Sequence, residues 1–237
     1  MRNRLRRYTA RNVLNTGNFF NRLSVTIQLI FANIVLFIIG SVIIWTNPNF
    51  IDYIALNPSF IIHGKYLWTI ITSMFMHANI FHLMINMFVL FSLGSFCEKI
   101  IGSRRFFWFY IISGIAAGIV AVIFPVFFGS TSIGGMIFGS PDMPGVGASG
   151  AIFAIAGLFV IITPKLRFSI IFLPFFSLPA YIMIPLVLFL TWIVSAGTGL
   201  PIGNTAHFGG LIAGIAYGAY LKNKYSRKIQ LLNESIQ

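Results

Sequence analysis

The chain has 237 residues, of which 57% are hydrophobic and only 8% are charged, and its formal net charge is +12. With a mean hydropathy of +0.89, this composition excludes an ordinary soluble domain and indicates a polytopic membrane protein. A nucleic-acid partner is not expected from the positive charge, because the basic residues lie almost entirely at the ends of apolar runs.

Residues 1–24 form a basic N-terminal segment with six arginines and no acidic residue. An arginine-rich, acid-free segment resembles a mitochondrial targeting sequence. We interpret it instead as a cytoplasmic tail whose positive charges contact anionic lipid. The apolar run that follows is too long for the core of a signal peptide, so it is expected to remain as the first span.

Six apolar segments are separated by connections rich in glycine, proline or aromatic residues. Spans are predicted at 25–45, 77–97, 106–124, 148–163, 179–196 and 206–221. The aromatic connection 46–76 and the proline-broken segment 168–178 are expected to lie in the membrane interface. The sequence therefore predicts an all-α fold, a bundle of six transmembrane helices over 25–221, with basic cytoplasmic tails at 1–24 and 222–237.

The distribution of basic residues predicts the orientation. Every lysine and arginine except Lys65 lies in one of four segments, which are 1–24, 98–105, 164–167 and 222–237. With six spans, all four fall on one side, which we expect to be cytoplasmic. The other side is expected to carry the connections 46–76, 128–146 and 197–205. We expect a prokaryotic cell membrane, with the mitochondrial inner membrane as the less favoured location.

The fourth predicted span is short and begins with a serine between glycines. A helix over 148–163 covers roughly 24 Å of a hydrocarbon core of about 30 Å. Ser149 is therefore expected below the membrane surface, at the floor of a cavity. A polar side chain in hydrocarbon costs free energy unless it is hydrogen-bonded or functional. The alternative is packing, because Gly, Ala and Ser are the usual small residues at helix contacts in membranes.

The sixth predicted span begins on the same side of the membrane, and His207 lies at its start. A serine and a histidine at one depth can form a nucleophile–base pair. Small residues at every fourth position of this span, including Gly210, would let it approach the fourth span closely. Taken alone, His207 is better explained as a histidine that bonds a backbone carbonyl at a helix start.

His82 and Asn86 lie four residues apart near the same end of the second span, so they share a helix face. Together with the backbone N–H of Ser149, these donors could stabilise the oxyanion of a tetrahedral intermediate. Their alternative role is hydrogen bonding between helices. His77 is five residues before His82 and is expected to point elsewhere, in a structural or interfacial role.

Three motifs occur in order along residues 64–221. They are His82-x-x-x-Asn86, Gly147-x-Ser149-Gly150-x-x-x-Ala154 and Ala206-His207-x-x-Gly210-x-x-x-Gly214. Together with the stretches 72–79 and 94–103, they resemble the signature motifs of the rhomboid intramembrane serine proteases. The resemblance implies the six-span rhomboid fold and an endopeptidase that cleaves transmembrane segments of other membrane proteins near their non-cytoplasmic end.

The resemblance also implies roles for individual residues. Ser149 and His207 would form a catalytic dyad without a third carboxylate. His82, Asn86 and the Ser149 amide would form the oxyanion hole. Phe153 would stack on His207. No metal or cofactor is implied, and the expected partners are transmembrane protein substrates and membrane lipid.

Two further features concern the connections. The resemblance implies that the loop 197–205 and the fifth span form a movable gate for the substrate. The family usually has Trp-Arg in the first connection, whereas this sequence has Trp68 followed by Thr69, which leaves the structural support of that connection open.

Other function classes lack their required residues. A zinc intramembrane protease needs His-Glu-x-x-His, and an aspartyl type needs two intramembrane aspartates; the sequence has neither. The single cysteine, Cys97, excludes a cysteine-based zinc site. Coupled transporters usually show intramembrane carboxylates or repeated halves, which are also absent from the sequence. The remaining alternative is a catalytically silent rhomboid-like protein that binds membrane-protein helices.

Overall fold

A computed structural model of the chain describes residues 23–170, 173–200 and 202–236. Its helices are α1 (Val25–Thr46), α2 (Pro58–Ile62), α3 (Thr69–Thr72), α4 (Ile80–Ile101), α5 (Ser103–Phe128), α6 (Ser132–Phe138), α7 (Ser149–Ile162), α8 (Ala180–Thr198), α9 (Asn204–Lys224) and α10 (Ser226–Ile236). Short 3₁₀ helices cover Pro48–Tyr53 and Ser73–Phe75, and α4 contains a π-helical turn at Leu90–Gly94. The strands β1 (Arg167–Ile170) and β2 (Leu173–Pro179) form an antiparallel hairpin.

The predicted all-α membrane bundle is confirmed. By length and composition, α1, α4, α5 and α8 are long and apolar enough to cross a membrane. The shorter α7 is the centre of the bundle, since ten of its 14 residues are buried and it packs against α4, α5, α8 and α9. A helix that is apolar on all sides is stable when neighbours surround it, and this explains why the sequence of α7 carries no polar face.

Several boundaries differ from the prediction for local reasons. The second span begins at Ile80 rather than His77, because the Asn79 side chain accepts a hydrogen bond from the His82 N–H and caps the helix. The fifth span starts at Ala180, directly after Pro179, as expected from the proline. The segment before it, which was predicted to be interfacial, forms a β-hairpin, and the connection 128–146 contains α6. The prediction for residues 1–22 lies outside the described part of the chain.

Glu98 joins three helices at the basic end of the bundle. Its carboxylate accepts hydrogen bonds from the Val25 N–H (2.9 Å), from the Thr26 N–H (2.8 Å) and hydroxyl (2.7 Å), and from the Ser103 hydroxyl (2.6 Å). These donors belong to the first turns of α1 and α5. A carboxylate at the start of α1 satisfies N–H groups that have no acceptor within that helix, and it interacts favourably with the helix dipole.

Small residues bring α7 and α9 into backbone contact. A Cβ on Gly210 would overlap the Gly150 carbonyl oxygen, and a Cβ on Gly214 would overlap the carbonyl oxygen of Ala154. Both overlaps show that main chain lies directly against main chain, as small residues allow in membrane helix pairs. This contact fixes the depth of the start of α9 relative to the start of α7.

The first connection holds the loop that leads into α7. Leu56 and Gly145 exchange two backbone hydrogen bonds, of 2.9 and 2.8 Å. The Gly147 N–H donates to the Ser73 carbonyl at 2.9 Å. Because these bonds join segments far apart in sequence, the backbone next to Ser149 is positioned by the first connection rather than by its own loop.

Thr69 supports the first connection at the position where the related motif usually has arginine. Thr69 is 1% exposed, and its N–H and hydroxyl both donate to the Tyr66 carbonyl at 2.8 Å. The adjacent Trp68 indole donates to the Tyr53 carbonyl at 3.0 Å. Backbone carbonyls of the connection are therefore satisfied without a guanidinium group.

Candidate active site

Ser149 is the first residue of α7 and lies two residues after a glycine with positive φ. Gly147 has φ of 138°, a conformation that side chains rarely adopt. A Cβ at this position would lie 2.9 Å from His82 Cε1 and 3.6 Å from Ser149 Oγ. Because Gly147 has no side chain, the His82 ring can approach Ser149.

His207 lies in the first turn of α9 and reaches the serine directly. Its Nε2 is 2.8 Å from Ser149 Oγ. The Phe153 ring, one turn further along α7, stacks on the imidazole with centroids 4.4 Å apart and planes 18° apart. His207 is 7% exposed, and its Nδ1 has no hydrogen-bond partner among the described residues. The imidazole is thus oriented by a hydroxyl and an aromatic face, without a carboxylate.

His82 faces the same point from α4. The Ala78 N–H lies 3.5 Å from His82 Nδ1 and donates to it, which places the imidazole proton on Nε2. A Cβ on Gly147 would be 3.1 Å from that Nε2. The protonated nitrogen is therefore on the side of the ring that faces Gly147 and Ser149.

Asn86 is buried on the same helix face, but its side chain is directed back along α4. Its Nδ2 donates to the His82 carbonyl at 2.9 Å. A primary amide has two N–H donors, so one hydrogen is left after this bond. The sequence predicted that Asn86 and His82 share a helix face, but residue spacing does not specify this hydrogen bond within the helix.

His77 lies against His82, a contact that sequence reasoning missed. The two rings meet edge to face with centroids 5.1 Å apart, and Phe37 contacts His77 from α1 at 6.3 Å. His77 is 1% exposed, so its role is structural rather than interfacial. Residues five apart on one helix point in different directions. His77 precedes α4, so this spacing rule does not apply to it and the contact was not predicted.

The predicted gate segment packs on the bundle through a small apolar cluster. Ala180, Ile184 and Leu188 of α8 contact Ala156 and Leu211. The Trp192 indole donates to the Ile137 carbonyl of α6 at 2.6 Å and lies 6.0 Å from the Phe208 ring. The helix ends at Thr198, and its C-cap Gly199 has φ of 70°. Two backbone hydrogen bonds also hold its first turn, from the Ala180 N–H to the Leu166 carbonyl (2.8 Å) and from the Tyr181 N–H to the Pro164 carbonyl (3.3 Å). Beyond these bonds and the indole bond, its contacts with the bundle are mainly apolar.

The fold and this pair of side chains define a polytopic α-helical membrane protein with a serine and a histidine in contact at the starts of two neighbouring helices. Residues 64–224 match the Rhomboid domain family, and the chain belongs to the rhomboid family. The rhomboid-type fold expected from the sequence motifs is thereby confirmed.

Three relatives illustrate the similarity. Rhomboid protein 1, mitochondrial, of Saccharomyces cerevisiae is 30% identical over 165 residues, which cover 68% of this chain and 44% of the relative. Presenilin-associated rhomboid-like protein, mitochondrial, of Homo sapiens is 29% identical over 202 residues, covering 81% and 47%. Rhomboid protease GluP of Bacillus subtilis is 29% identical over 170 residues, covering 70% and 28%. The chain thus spans less than half the length of these relatives.

These relatives correct the localisation predicted from the sequence. The prediction preferred a prokaryotic cell membrane with cytoplasmic termini over a mitochondrial inner membrane. The yeast and human relatives are both mitochondrial by name, so the prokaryotic assignment is wrong, whereas the multi-pass membrane character stands. The signal that could have reversed the preference is the arginine-rich, acid-free segment at 1–24.

Proposed function

We propose that the chain is an intramembrane serine endopeptidase with Ser149 as nucleophile and His207 as general base. The observation that carries this proposal is the 2.8 Å separation of His207 Nε2 and Ser149 Oγ. A base must lie within about 2.6–3.2 Å of the hydroxyl whose proton it takes, and this pair meets that requirement.

The proposed reaction has two stages. As Ser149 Oγ attacks the substrate carbonyl, its proton moves to His207 Nε2, and the imidazolium then gives that proton to the leaving amine. Water, activated by the same histidine, hydrolyses the acyl-enzyme ester. The stacked Phe153 ring supports this cycle, because an aromatic face attracts the imidazolium that forms transiently.

We expect three groups to donate hydrogen bonds to the oxyanion. The N–H of Ser149 belongs to the first turn of α7, whose N–H groups have no acceptor within the helix. His82 presents its protonated nitrogen from α4, and Asn86 has one N–H left to donate. Donors fixed in this way are most effective in a site shielded from water.

The expected substrates are transmembrane segments of other proteins, cut near the membrane face opposite the basic segments. Ser149 begins α7 and His207 lies in the first turn of α9, both at the end of the bundle opposite the basic segments, and α7 is short. We propose that α8 and the loop 197–205 form the gate through which the substrate reaches them. A largely apolar contact can separate into lipid at little cost, because lipid tails are as apolar as the side chains they replace.

The test is covalent labelling of detergent-solubilised protein with a fluorophosphonate probe. The probe's phosphorus bonds to Ser149 Oγ, fluoride leaves, and His207 takes the hydroxyl proton. We expect rapid labelling of the wild type, none in Ser149→Ala, and a rate about 10²- to 10⁴-fold lower in His207→Ala.

Ser113→Ala is the matched control, because Ser113 is a buried serine that donates to the Phe109 carbonyl outside the site. It should label like the wild type. Labelling that persists in Ser149→Ala, or a wild type that does not label, contradicts the dyad and favours the catalytically silent helix-binding protein.

A further inference from the structure

A cavity of about 480 Å³ lies between α5 and α9. Arg104 and Arg105 line it at the start of α5, and Trp108, Ile112 and Ala116 line it further along the helix, opposite Ala213 of α9. From Arg104 to Ala116 the helix advances about 18 Å. The cavity is separate from the serine site, because Ala213 is six residues beyond His207 on α9, toward the basic end.

Packing on both sides explains why the two helices leave space here. Towards the serine end of the bundle they touch, since a Cβ on Gly209 would lie 2.6 Å from Val120 Cβ. Towards the basic end, the Phe109 and Tyr217 rings stack with centroids 4.8 Å apart and form one wall. Alanines face the space between these contacts and leave it unfilled.

The mouth of the cavity carries concentrated positive charge. Arg105 donates to the Tyr225 hydroxyl at 3.3 Å and lies 5.5 Å from the centroid of that ring. Lys224 and Lys228 lie 5.8 and 5.9 Å from the same centroid. Three cations therefore surround one tyrosine, with Arg104 beside them on α5.

Within the described ranges, the hydrogen bonds of the two glutamates go to groups other than these cations. Both Glu98 oxygens accept hydrogen bonds from Val25, Thr26 and Ser103, and Glu234 accepts from Gln230 at 3.0 Å. An anion from outside the chain would relieve the repulsion among the cations. Arginine suits a phosphate in particular, because its planar fork of N–H donors matches two phosphate oxygens.

The inner part of the cavity is apolar. Ser113 is the polar side chain that lines it there, and its hydroxyl is 3% exposed and already donates to the Phe109 carbonyl at 2.6 Å. A free phosphate would fill only the mouth and leave this apolar length open. A hydrocarbon chain attached to the phosphate would fill both parts.

We propose that this cavity binds one anionic phospholipid, with its phosphate on Arg104 and Arg105 and an acyl chain between α5 and α9. Trp108 is 53% exposed at the level of the headgroup, where tryptophan is favoured in membranes. The site lies at the end of the bundle that carries the basic segments, where anionic lipid is attracted electrostatically.

The experiment measures quenching of Trp108 fluorescence by lipid with brominated acyl chains in detergent micelles of the full chain. The fluorescence of Trp108→Phe comes from the other tryptophans, and it is subtracted from the fluorescence of the wild type. We expect brominated phosphatidylglycerol to quench Trp108 at a much lower lipid fraction than brominated phosphatidylcholine. Replacing both arginines, Arg104→Gln with Arg105→Gln, should weaken the binding of phosphatidylglycerol roughly 25-fold, since each basic residue contributes about fivefold.

Two further variants test the site itself. Lys99→Gln with Lys222→Gln removes the same charge from the same end, at exposed residues outside the cavity, and should change quenching less than twofold. Ala213→Leu keeps the charge and fills the apolar part, so it should weaken binding. Equal quenching by the two lipids in the wild type would overturn the proposal, as would equal losses in the two double variants. Complete loss of the lipid-induced quenching on addition of inorganic phosphate would also overturn the proposal, because the ligand would then be an anion without a hydrocarbon chain.

Discussion

Gly147 is the residue on which the geometry around the serine depends most directly. Its positive φ turns the chain into α7, and its missing side chain leaves room for His82. A methyl group there would strain the backbone and would press on His82 Cε1 at 2.9 Å.

We therefore expect Gly147→Ala to lower the rate of fluorophosphonate labelling at least tenfold, because a displaced oxyanion donor typically costs about 10²–10³ in rate. The measurement is the labelling rate beside the thermal unfolding midpoint. Gly145→Ala is the control, since its added methyl would come no closer than 3.9 Å to the Leu56 carbonyl. Equal labelling in the two variants would contradict a role for Gly147 in placing His82.

The sequence predicted which residues surround the serine better than it predicted how they bond. Ser149 and His207 were paired because both begin spans on one side, and in the structure they lie 2.8 Å apart. The bond from Asn86 to the His82 carbonyl and the burial of His77 depend on side-chain rotamers and on neighbours from α1. Such contacts are set by tertiary packing, which residue spacing along one helix does not encode.

At the scale of elements, the α7–α9 contact sets the position of the nucleophile relative to the base. Gly210 lies one turn beyond His207, and a Cβ there would overlap the Gly150 carbonyl. Two backbones in contact cannot absorb a methyl group by rotating a side chain, so the helices themselves must separate.

We expect Gly210→Ala to lower the free energy of unfolding by about 1–3 kcal/mol and to abolish labelling of Ser149. Gly197→Ala on α8 is the matched control, because its added methyl meets nothing within 4 Å and alanine is favoured within helices. Reversible unfolding in mixed micelles measures the first effect. A Gly210→Ala protein as stable and as reactive as Gly197→Ala would show that close contact is not required.

The order of the spans was predictable, whereas several element ends and connections were not. Apolar length identifies a span, but the Asn79 cap moved the start of α4 by three residues. The hairpin of β1 and β2 contains Pro174 and Pro179, which excluded a continuous helix without specifying the alternative. The glycine-rich loop before α7 contains α6, whose N-cap is the Thr131 hydroxyl. Each of these features depends on a local hydrogen bond that hydropathy does not detect.

At the scale of the whole molecule, Glu98 connects the first span to the rest of the bundle. Replacing its carboxylate with an amide places an NH₂ group among the N–H and hydroxyl donors of Val25, Thr26 and Ser103. Hydrogen bonds to a charged group are among the stronger ones, and an unpaired buried donor carries its full desolvation cost.

Glu98→Gln should lower the free energy of unfolding by roughly 2 kcal/mol, with the loss appearing first as separation of α1. Glu234→Gln makes the same chemical change at an exposed position of α10, where the effect should be below about 0.5 kcal/mol. Unfolding measured by intrinsic fluorescence, with Trp45 at the far end of α1 as a local reporter, checks both values. Equal stability of the two variants would exclude Glu98 as the anchor of α1.

The crossing of α9 depends on the whole bundle rather than on its own sequence. Its first turn contains Asn204 and His207, both buried, and the helix is not among the four that are apolar enough by length and composition to span alone. Its small residues instead bury it against α7 and α5. If α7, α8 and α9 all cross, Ser130 before them and Ser226 after them must lie on opposite sides.

Cysteine labelling tests this topology, because Cys97, the one native cysteine, is fully buried. Ser130→Cys and Ser226→Cys introduce thiols at exposed positions before α7 and after α9. In sealed proteoliposomes treated with a membrane-impermeant maleimide, the labelled fractions of the two variants should sum to one, whatever the mixture of orientations. If the two variants instead gave equal labelled fractions in every preparation, whatever its mixture of orientations, one of the three helices would not cross.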